Sequence, residues 1–313
     1  MIDLKVYREI KVVEWAILVV LWLTACALTI IFKGFYNQDL GVSVFVVESL
    51  EGVGFIEAIQ TNSTIFYLLR MIGDSFVFNH DYTLLMYWFY IIAQTYIIFS
   101  LARYAGLYYT ILIVFVVFFT VILNQMRFGI AISMMLMALH NNEEGDKTVI
   151  QQITLGIVIT LFHIFVGVFY FLYLITRKFN HLIYVFGFLA IVGFSSLSIL
   201  FEDSRYLYYL EEDAARGSFS FLLFLVIYAT AFFSLDRFHR LYFLFLLLIA
   251  AASYSLASIS SRLSELSIIF LLVVLSKMEV PYWAKLLLLS FSISFFLYRA
   301  FNWFVMGQVP LAP

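Results

Sequence analysis

The 313-residue chain is poor in charge, in proline and in cysteine. Asp, Glu, Lys and Arg make up only 12% of it, and prolines number three, which is far from the composition of a soluble domain. The single cysteine, Cys26, excludes an intramolecular disulfide framework. With a net charge of −2, nothing in the overall balance favours a nucleic-acid partner. Composition therefore excludes an ordinary soluble enzyme.

Long runs of apolar residues make up most of the sequence. Hydrophobic residues account for 64% of the chain, and the mean hydropathy is +1.01. The runs that are long enough to cross ~30 Å of hydrocarbon include residues 13–33, 83–101, 105–123, 182–201 and 241–257. The sequence predicts an all-α, polytopic integral membrane protein with about 10–12 transmembrane or half-spanning helices. We expect one membrane domain over residues 1–313.

Basic residues at the ends of the runs predict the orientation. Lys5, Arg8 and Lys11 precede the first run, which reads as a retained anchor, and they place the N-terminus in the cytoplasm. The segment at about residues 34–63 carries acidic residues without Lys or Arg, so it is predicted to be an outer loop. The segment 202–217 is predicted to face the same side.

Two regions do not fit a simple spanning helix. Residues 64–78 form a short apolar stretch interrupted by Arg70, which indicates a half-span. Residues 149–176 would exceed ~40 Å as one helix, too long for an untilted span. We expect two short segments that meet around His163. That topology also places Arg127 at the outer end of a short helix.

Five basic or potentially basic groups lie at or near run ends, and the same topology turns them all toward the outer leaflet: Arg127, His163, Arg205, Arg216 and Arg262. A charge near membrane depth costs free energy, so such a group suggests a site for something anionic, such as a lipid-linked pyrophosphate. Arg127 precedes a helix whose first N–H groups can help to hold a phosphate. Histidine titrates near neutral pH, which suits His163 to proton transfer or phosphate contact. The alternatives are a snorkelling arginine and a histidine satisfied by packing.

A tyrosine-rich loop lies between Arg205 and Arg216. Its Tyr206, Tyr208 and Tyr209 suit the stacking and hydrogen bonding of sugars, although an interfacial aromatic belt explains them equally well. Arg216 enters the next apolar run beside Gly217.

Weaker candidates come from three other places. Arg262 and Glu265 are three residues apart, so on a helix they share a face and can pair with each other. Asp39 is either a general base or a solvated carboxylate. Arg70 belongs to the predicted half-span.

Signatures of soluble enzymes and of metal sites are missing from the sequence. It contains no Gly-rich phosphate loop, HExxH, CxxC or nucleophile elbow, and its five histidines are dispersed. We predict neither a cofactor nor a metal, and no covalent nucleophile is indicated.

The order of short motifs resembles the EpsG family of Wzy-type polysaccharide polymerases. The motifs are the aromatic segment Phe35 to Asp39, NQMRFGIAISMMLMAL (124–139), LFHIFVGVFYFLYLI (161–175), the tyrosine-rich loop at 205–217, and SSRLSELSIIFLLVVL (260–275). The ordered set covers most of the chain. At the first motif this chain has Asp39-Leu40 where the family commonly has Asp-Tyr.

The resemblance implies a GT-C-like glycosyltransferase. Such an enzyme polymerises undecaprenyl-pyrophosphate-linked oligosaccharide units at the outer (periplasmic) face of the bacterial cytoplasmic membrane, without a metal. It transfers the growing chain from one lipid-linked unit, the donor, to another, the acceptor. A flippase and a chain-length regulator are the implied protein partners, in addition to membrane lipid.

With such a reaction, we expect Arg127 and Arg216 to hold the pyrophosphate with help from Arg262. His163 is then a second contact or the base that activates the acceptor hydroxyl. The catalytic group is His163, Arg127 and Arg216. The substrate-binding group is Arg262, Arg205, Tyr206, Tyr208, Tyr209, Glu265, Asp39 and Arg70.

Other activities fit the same residues. A flippase or transporter for a lipid-linked sugar would bind with the same arginines without reacting. An O-antigen-ligase-type enzyme would use the same donor with another acceptor. A membrane acyltransferase would use the histidine and leave the arginines unexplained.

Overall fold

The computed structural model describes residues 4–31, 38–60, 64–75, 78–122, 126–143, 148–179, 214–253 and 257–304. Every regular element in these ranges is helical, which confirms the predicted all-α class. The predicted run 182–201 lies outside the described residues.

The helices group into two compact units, the first made of residues 1–171 with 300–312 and the second of residues 172–299 with Pro313. The helices that begin before Phe171 are Leu4–Ile31 (α1), Gln38–Ser49 (α2), Phe55–Gln60 (α3), Thr64–Gly73 (α4), Tyr82–Val117 (α5), Met126–Glu143 (α6), Val149–Phe162 (α7) and Ile164–Lys178 (α8). A π-helical turn, Phe118–Ile122, extends α5. The later helices are Ala214–Ala231 (α9), Arg237–Ala252 (α10), Ala257–Leu275 (α11) and Tyr282–Phe304 (α12).

Among the residues that the structure describes, three helical stretches are long and apolar enough to cross a membrane: Lys11–Ile30, Tyr82–Ile122 and Tyr282–Asn302. Shorter apolar helices cover Thr64–Gly73, Met126–Leu139, Val149–Phe162 and Phe219–Ser234. The mixture of long and short apolar helices is that of a polytopic membrane protein.

The 41-residue stretch from Tyr82 to Ile122 folds back on itself at Gly106. Gly106 is non-helical, with φ 74° and ψ 163°. The side chain of Gln94 donates to the carbonyl of Ile122 at 3.2 Å. In one straight helix those residues would be ~42 Å apart, so the chain reverses at Gly106. This confirms the predicted separate runs at 83–101 and 105–123.

A second reversal occurs at His163, as the length of the 149–176 run predicts. His163 is extended, with φ −157° and ψ 108°, and it separates α7 from α8. Gly167 lies directly against Thr160, and Gly156 lies against the ring of Phe171. The two helices are therefore antiparallel and turn at His163.

The short apolar stretch predicted at 64–78 is a helix of 10 residues, α4, and its position as a half-span stays a prediction. The segment predicted as an outer loop, 34–63, holds the helices α2 and α3, and its position on the outer side stays a prediction. In α2, Gly41 and four valines have low helix propensity, so the sequence does not predict this helix. Its end is stabilised from outside, because Arg70 donates to the carbonyls of Val47 and Glu48 at 3.1 and 2.8 Å.

In the second unit, α11 is the central helix and is buried on all sides from Leu263 to Leu275. Ser260 donates to the carbonyl of Ala250 at 2.8 Å and so ties the start of α11 to the end of α10. Ser261 donates to Ser220 at 3.3 Å, which places the starts of α9 and α11 at the same end of this unit.

Candidate functional site

The first unit brings two predicted site residues, Arg127 and His163, to the same region. Arg127 is the second residue of α6, so the predicted helix start is confirmed. The next residue, Phe128, is buried and packs edge-on against His163, with 5.0 Å between ring centroids. We call Arg127, Phe128 and His163, together with Phe66, the α6–α7 cluster.

Phe66 contributes an aromatic face to the α6–α7 cluster. The guanidinium carbon of Arg127 lies 4.5 Å from the centroid of the Phe66 ring, a cation–π arrangement. Phe66 is buried in α4, so this helix supplies one wall beside the cation. Arg127 is in the first turn of α6, where the backbone N–H groups have no acceptor within the helix. These N–H groups can bind an anion together with the guanidinium.

The backbone around His163 is held in a defined turn. Its N–H donates to the carbonyl of Ile159 at 2.9 Å, and its own carbonyl accepts from Val166 and Gly167, both at 3.1 Å. The imidazole itself is half-buried. These three hydrogen bonds fix the backbone of His163 and so help to position its imidazole. A group that transfers protons must be positioned in this way.

The α6–α7 cluster lies part of the way along α5 and not at its end. Gln94, which donates to Ile122 shortly before α6, is twelve residues into α5 and hence ~18 Å from Tyr82 along the helix axis. Gly129 in α6 lies against Ile97 of α5. The helix α7 has 14 residues, ~21 Å, which is short of the ~30 Å of a hydrocarbon core. A charge among apolar side chains is screened less than one in water and interacts more strongly with an anion.

Arg70 is occupied by groups of the protein itself. Besides the carbonyls of α2, it approaches Asp74 at 3.6 Å, and its guanidinium carbon lies 5.5 Å from the centroid of the Tyr82 ring. Its side chain is only 15% exposed. These contacts describe an arginine that fastens α2 and the start of α5 to α4, and its predicted role in substrate binding stays a prediction.

Asp74 is the centre of a small network that the sequence did not predict. Its Oδ1 accepts from the hydroxyl of Tyr82 and lies 3.1 Å from Nδ1 of His80. The Tyr82 hydrogen bond, with the nearby charge of Arg70, lowers the pKa of the Asp74 carboxyl. Asn79 and His80 have positive φ, 46° and 65°, so the turn that brings His80 to Asp74 is unusual for non-glycine residues.

The second unit holds other predicted residues at one end. Because α9 and α11 start together, the backbones of Arg216 and Arg262 lie at the same end of that unit. Arg262 is half-buried, and no acidic side chain or carbonyl bonds to it in the part of the chain that the structure describes. Its charge is therefore available to a ligand.

The ion pair of Glu265 differs from the predicted one. Instead of a pair with Arg262, the structure shows Glu265 at 3.9 Å from Arg299 in α12. Glu265 is only 2% exposed, and the side chain of Arg299 is 14% exposed. Arg299 also donates to Ser220 at 3.3 Å and lies 5.1 Å from the ring centroid of Phe295.

Sequence reasoning missed Arg299, although a signal was present. It stands in the apolar stretch FFLYRAFNW, where an arginine needs a partner. The partner could not be read from the sequence, because Glu265 lies 34 residues earlier on another helix.

The remaining predicted residues fall outside what the structure describes. Arg205, Tyr206, Tyr208 and Tyr209 lie outside the described residues. Asp39 and Arg216 are in α2 and α9, but their side chains are not described. Within the described ranges, no three His, Cys, Asp or Glu side chains are grouped as metal ligands would be.

Comparison with known proteins adds the family. No curated protein and no solved structure matches the chain. The sequence profile of the EpsG family, in contrast, matches residues 29–313. The match takes in α6, the reversal at His163 and the helices α9 to α12, and therefore both groups of basic residues. From the match over nearly its whole length, the chain is a member of the EpsG family.

Proposed function

We propose that this protein is a membrane glycosyltransferase that polymerises undecaprenyl-pyrophosphate-linked oligosaccharide repeat units. Membership of the EpsG family suggests a role as a polysaccharide polymerase. The observation that carries the finer proposal is the α6–α7 cluster, where Phe128, the residue after Arg127, packs against His163 and Phe66 packs against Arg127. The proposed reaction takes place at the outer face of the bacterial inner membrane.

Arg127 is assigned to the departing pyrophosphate of the donor. The bond between the anomeric carbon and the pyrophosphate oxygen breaks, and the electron pair of that bond leaves with the oxygen. A guanidinium and the N–H groups of the first turn of α6 stabilise the negative charge that develops there. The ring of Phe66 covers one side of the guanidinium, and these apolar surroundings strengthen its interaction with an anion.

His163 is assigned to the acceptor. As the acceptor hydroxyl oxygen forms its bond to the anomeric carbon, its proton passes to the imidazole. The lipid pyrophosphate departs as the anion, so atoms and charges balance. The surrounding apolar side chains limit the access of water, which would otherwise hydrolyse the donor.

The basic residues of the second unit are assigned to the other lipid-linked substrate. The polymerisation uses two lipid pyrophosphates, because the acceptor keeps its own. Arg262, with its charge available, and Arg216, at the same end of the unit, are proposed to bind the acceptor pyrophosphate. Arg205, Tyr206, Tyr208 and Tyr209 are proposed to line the path of the sugars.

The proposal is tested with purified protein in proteoliposomes that contain one lipid-linked repeat unit. We expect a ladder of products spaced by whole repeat units. A ligase would give single transfers to a foreign acceptor and no ladder. A flippase would move the lipid-linked unit across the bilayer unchanged, and either result with folded protein contradicts the proposal.

A further inference from the structure

The pair of Glu265 and Arg299 has a consequence for Arg262. We infer that Arg299 is a positioning residue that occupies Glu265 and so keeps the charge of Arg262 available for an anionic pyrophosphate headgroup. This inference rests on the function proposed for Arg262.

The spacing on α11 creates a competition for Arg262. Arg262 and Glu265 are three residues apart on one helix, a spacing at which an arginine and a carboxylate reach each other. If they paired, the carboxylate would neutralise the cation that is meant for the substrate. The structure records a different pair, with the carboxylate of Glu265 at 3.9 Å from the guanidinium of Arg299.

The guanidinium of Arg299 is held beside Glu265 by contacts with neighbouring helices. Ser220 on α9 accepts a hydrogen bond from the same Nη2 atom that faces Glu265, at 3.3 Å. Ser220 is in turn bonded to Ser261, the residue next to Arg262. Three helices, α9, α11 and α12, therefore fix the guanidinium of Arg299 beside Glu265.

The burial of Glu265 makes the competition strong. A carboxylate that is 2% exposed has little water to solvate it, so it needs a cation. Without Arg299, the nearest cation along α11 is Arg262. With Arg299 in place, the ion pair that the structure records for Glu265 is with Arg299 and not with Arg262.

The experiment measures the dissociation constant of undecaprenyl pyrophosphate for protein in nanodiscs, per folded molecule. The variants are Arg262→Ala, Arg299→Gln and the double variant Arg299→Gln/Glu265→Gln. We expect Arg299→Gln to weaken binding about tenfold, the equivalent of ~1.4 kcal/mol. The double variant, which removes the competing carboxylate, is expected to bind within about threefold of the wild type, or ~0.7 kcal/mol.

Binding per folded molecule separates positioning from mere support. If Arg299 only supports the fold, Arg299→Gln lowers the yield of folded protein and the remaining protein binds normally, which overturns the inference. If the double variant binds as weakly as Arg299→Gln, Arg299 itself contacts the anion, and the inference is also overturned.

If Arg299→Gln does not fold, a milder variant tests whether Arg299 keeps Glu265 from pairing with Arg262. Ser220→Ala keeps Arg299 and removes the hydroxyl that accepts from Arg299 and from Ser261. We expect binding to weaken severalfold, and the addition of Glu265→Gln to reverse the loss. An unchanged dissociation constant in Ser220→Ala overturns the inference.

The variant Arg262→Ala distinguishes a wrong assignment of Arg262 from a wrong inference about Arg299. If Arg262→Ala binds as tightly as the wild type, Arg262 does not hold the pyrophosphate, and the role proposed for it in the second unit is wrong. If Arg262→Ala binds weakly while Arg299→Gln and Ser220→Ala bind normally, only the inference about Arg299 is wrong.

Discussion

The charged side chains of the described helices differ in what they contact, and this separates supporting residues from candidate ligands. Arg70 and Arg299 are each held by protein acceptors and by a carboxylate. Arg262 has no such acceptor among the described residues, and the guanidinium of Arg127 packs on the ring of Phe66. Of these arginines, Arg262 is therefore the one that these contacts mark as a candidate ligand. The sequence showed that these arginines stand in apolar surroundings. It could not show which of them already has a carboxylate, because the partners come from other helices or turns.

The Asp74 network predicts a dependence of stability on pH. Hydrogen bonding by Tyr82 and the charge of Arg70 lower the pKa of Asp74 below its ordinary 3.8. The carboxylate therefore stabilises the fold above pH 3.8, and this contribution is lost as the pH falls through the lowered pKa. We expect Asp74→Asn to lower the melting temperature at pH 7.

The control for Asp74 is the same comparison under acid conditions. As the pH falls below the pKa of Asp74, the melting temperatures of the wild type and of Asp74→Asn should converge. A difference that is the same at every pH would show that the charge of Asp74 is not what stabilises the turn.

Asp236 offers a second test at the residue scale. It is the N-cap of α10, where its Oδ1 accepts from the N–H of His239 at 2.8 Å and its Oδ2 lies 2.7 Å from Nδ1 of the same residue. Asp236→Ala should destabilise the protein by about 1 kcal/mol, the usual cost of losing a cap. Asp236→Asn keeps the capping oxygen and should cost less in the same thermal melt. Equal losses in the two variants would contradict the capping role.

At the scale of elements, the interruptions of the long apolar runs were predictable from the sequence, whereas the helix α2 was not. The short helix α4 and the reversal at His163 followed from the lengths of apolar runs against the thickness of a bilayer. The helix α2 did not follow, because its valines and glycine favour other structures and its end is completed by Arg70 from α4. Local propensity is overridden there by a contact that forms only in the folded chain.

The antiparallel packing of α7 on α8 depends on a close approach at Gly167. A Cβ at Gly167 would lie 2.7 Å from the backbone Cα of Thr160, which cannot rotate away. We expect Gly167→Ala to cost about 1–3 kcal/mol, the range for overpacking, and to displace the turn that carries His163. Thermal melting measures the first effect, and chain extension per folded molecule measures the second.

The matched control is Gly54→Ala. A Cβ at Gly54 would have nothing within 4 Å, so this variant should melt and extend chains like the wild type. If Gly167→Ala also behaves like the wild type, α7 and α8 are not packed as closely as described.

At the scale of the whole molecule, composition was enough to predict the class, and the order of motifs was enough to predict the family. The expectation of a single membrane domain stays a prediction, since the contacts define two compact units. Arg127 and His163 lie in the same region, because α6 begins and α7 ends there, and their roles in a site stay predictions. Arg299 was missed, because a role that depends on a partner 34 residues away leaves no local pattern.

The central claim is that Arg127 stabilises the departing pyrophosphate. The most direct measurement is the rate of chain extension by Arg127→Ala in proteoliposomes, per folded molecule, beside Arg103→Ala, which removes an exposed arginine near the other reversal of the chain. We predict that Arg127→Ala slows extension by about 10²–10³, as expected for the loss of a group that stabilises charge in the transition state. Arg103→Ala should extend at the wild-type rate. Extension at the wild-type rate by folded Arg127→Ala would contradict the account.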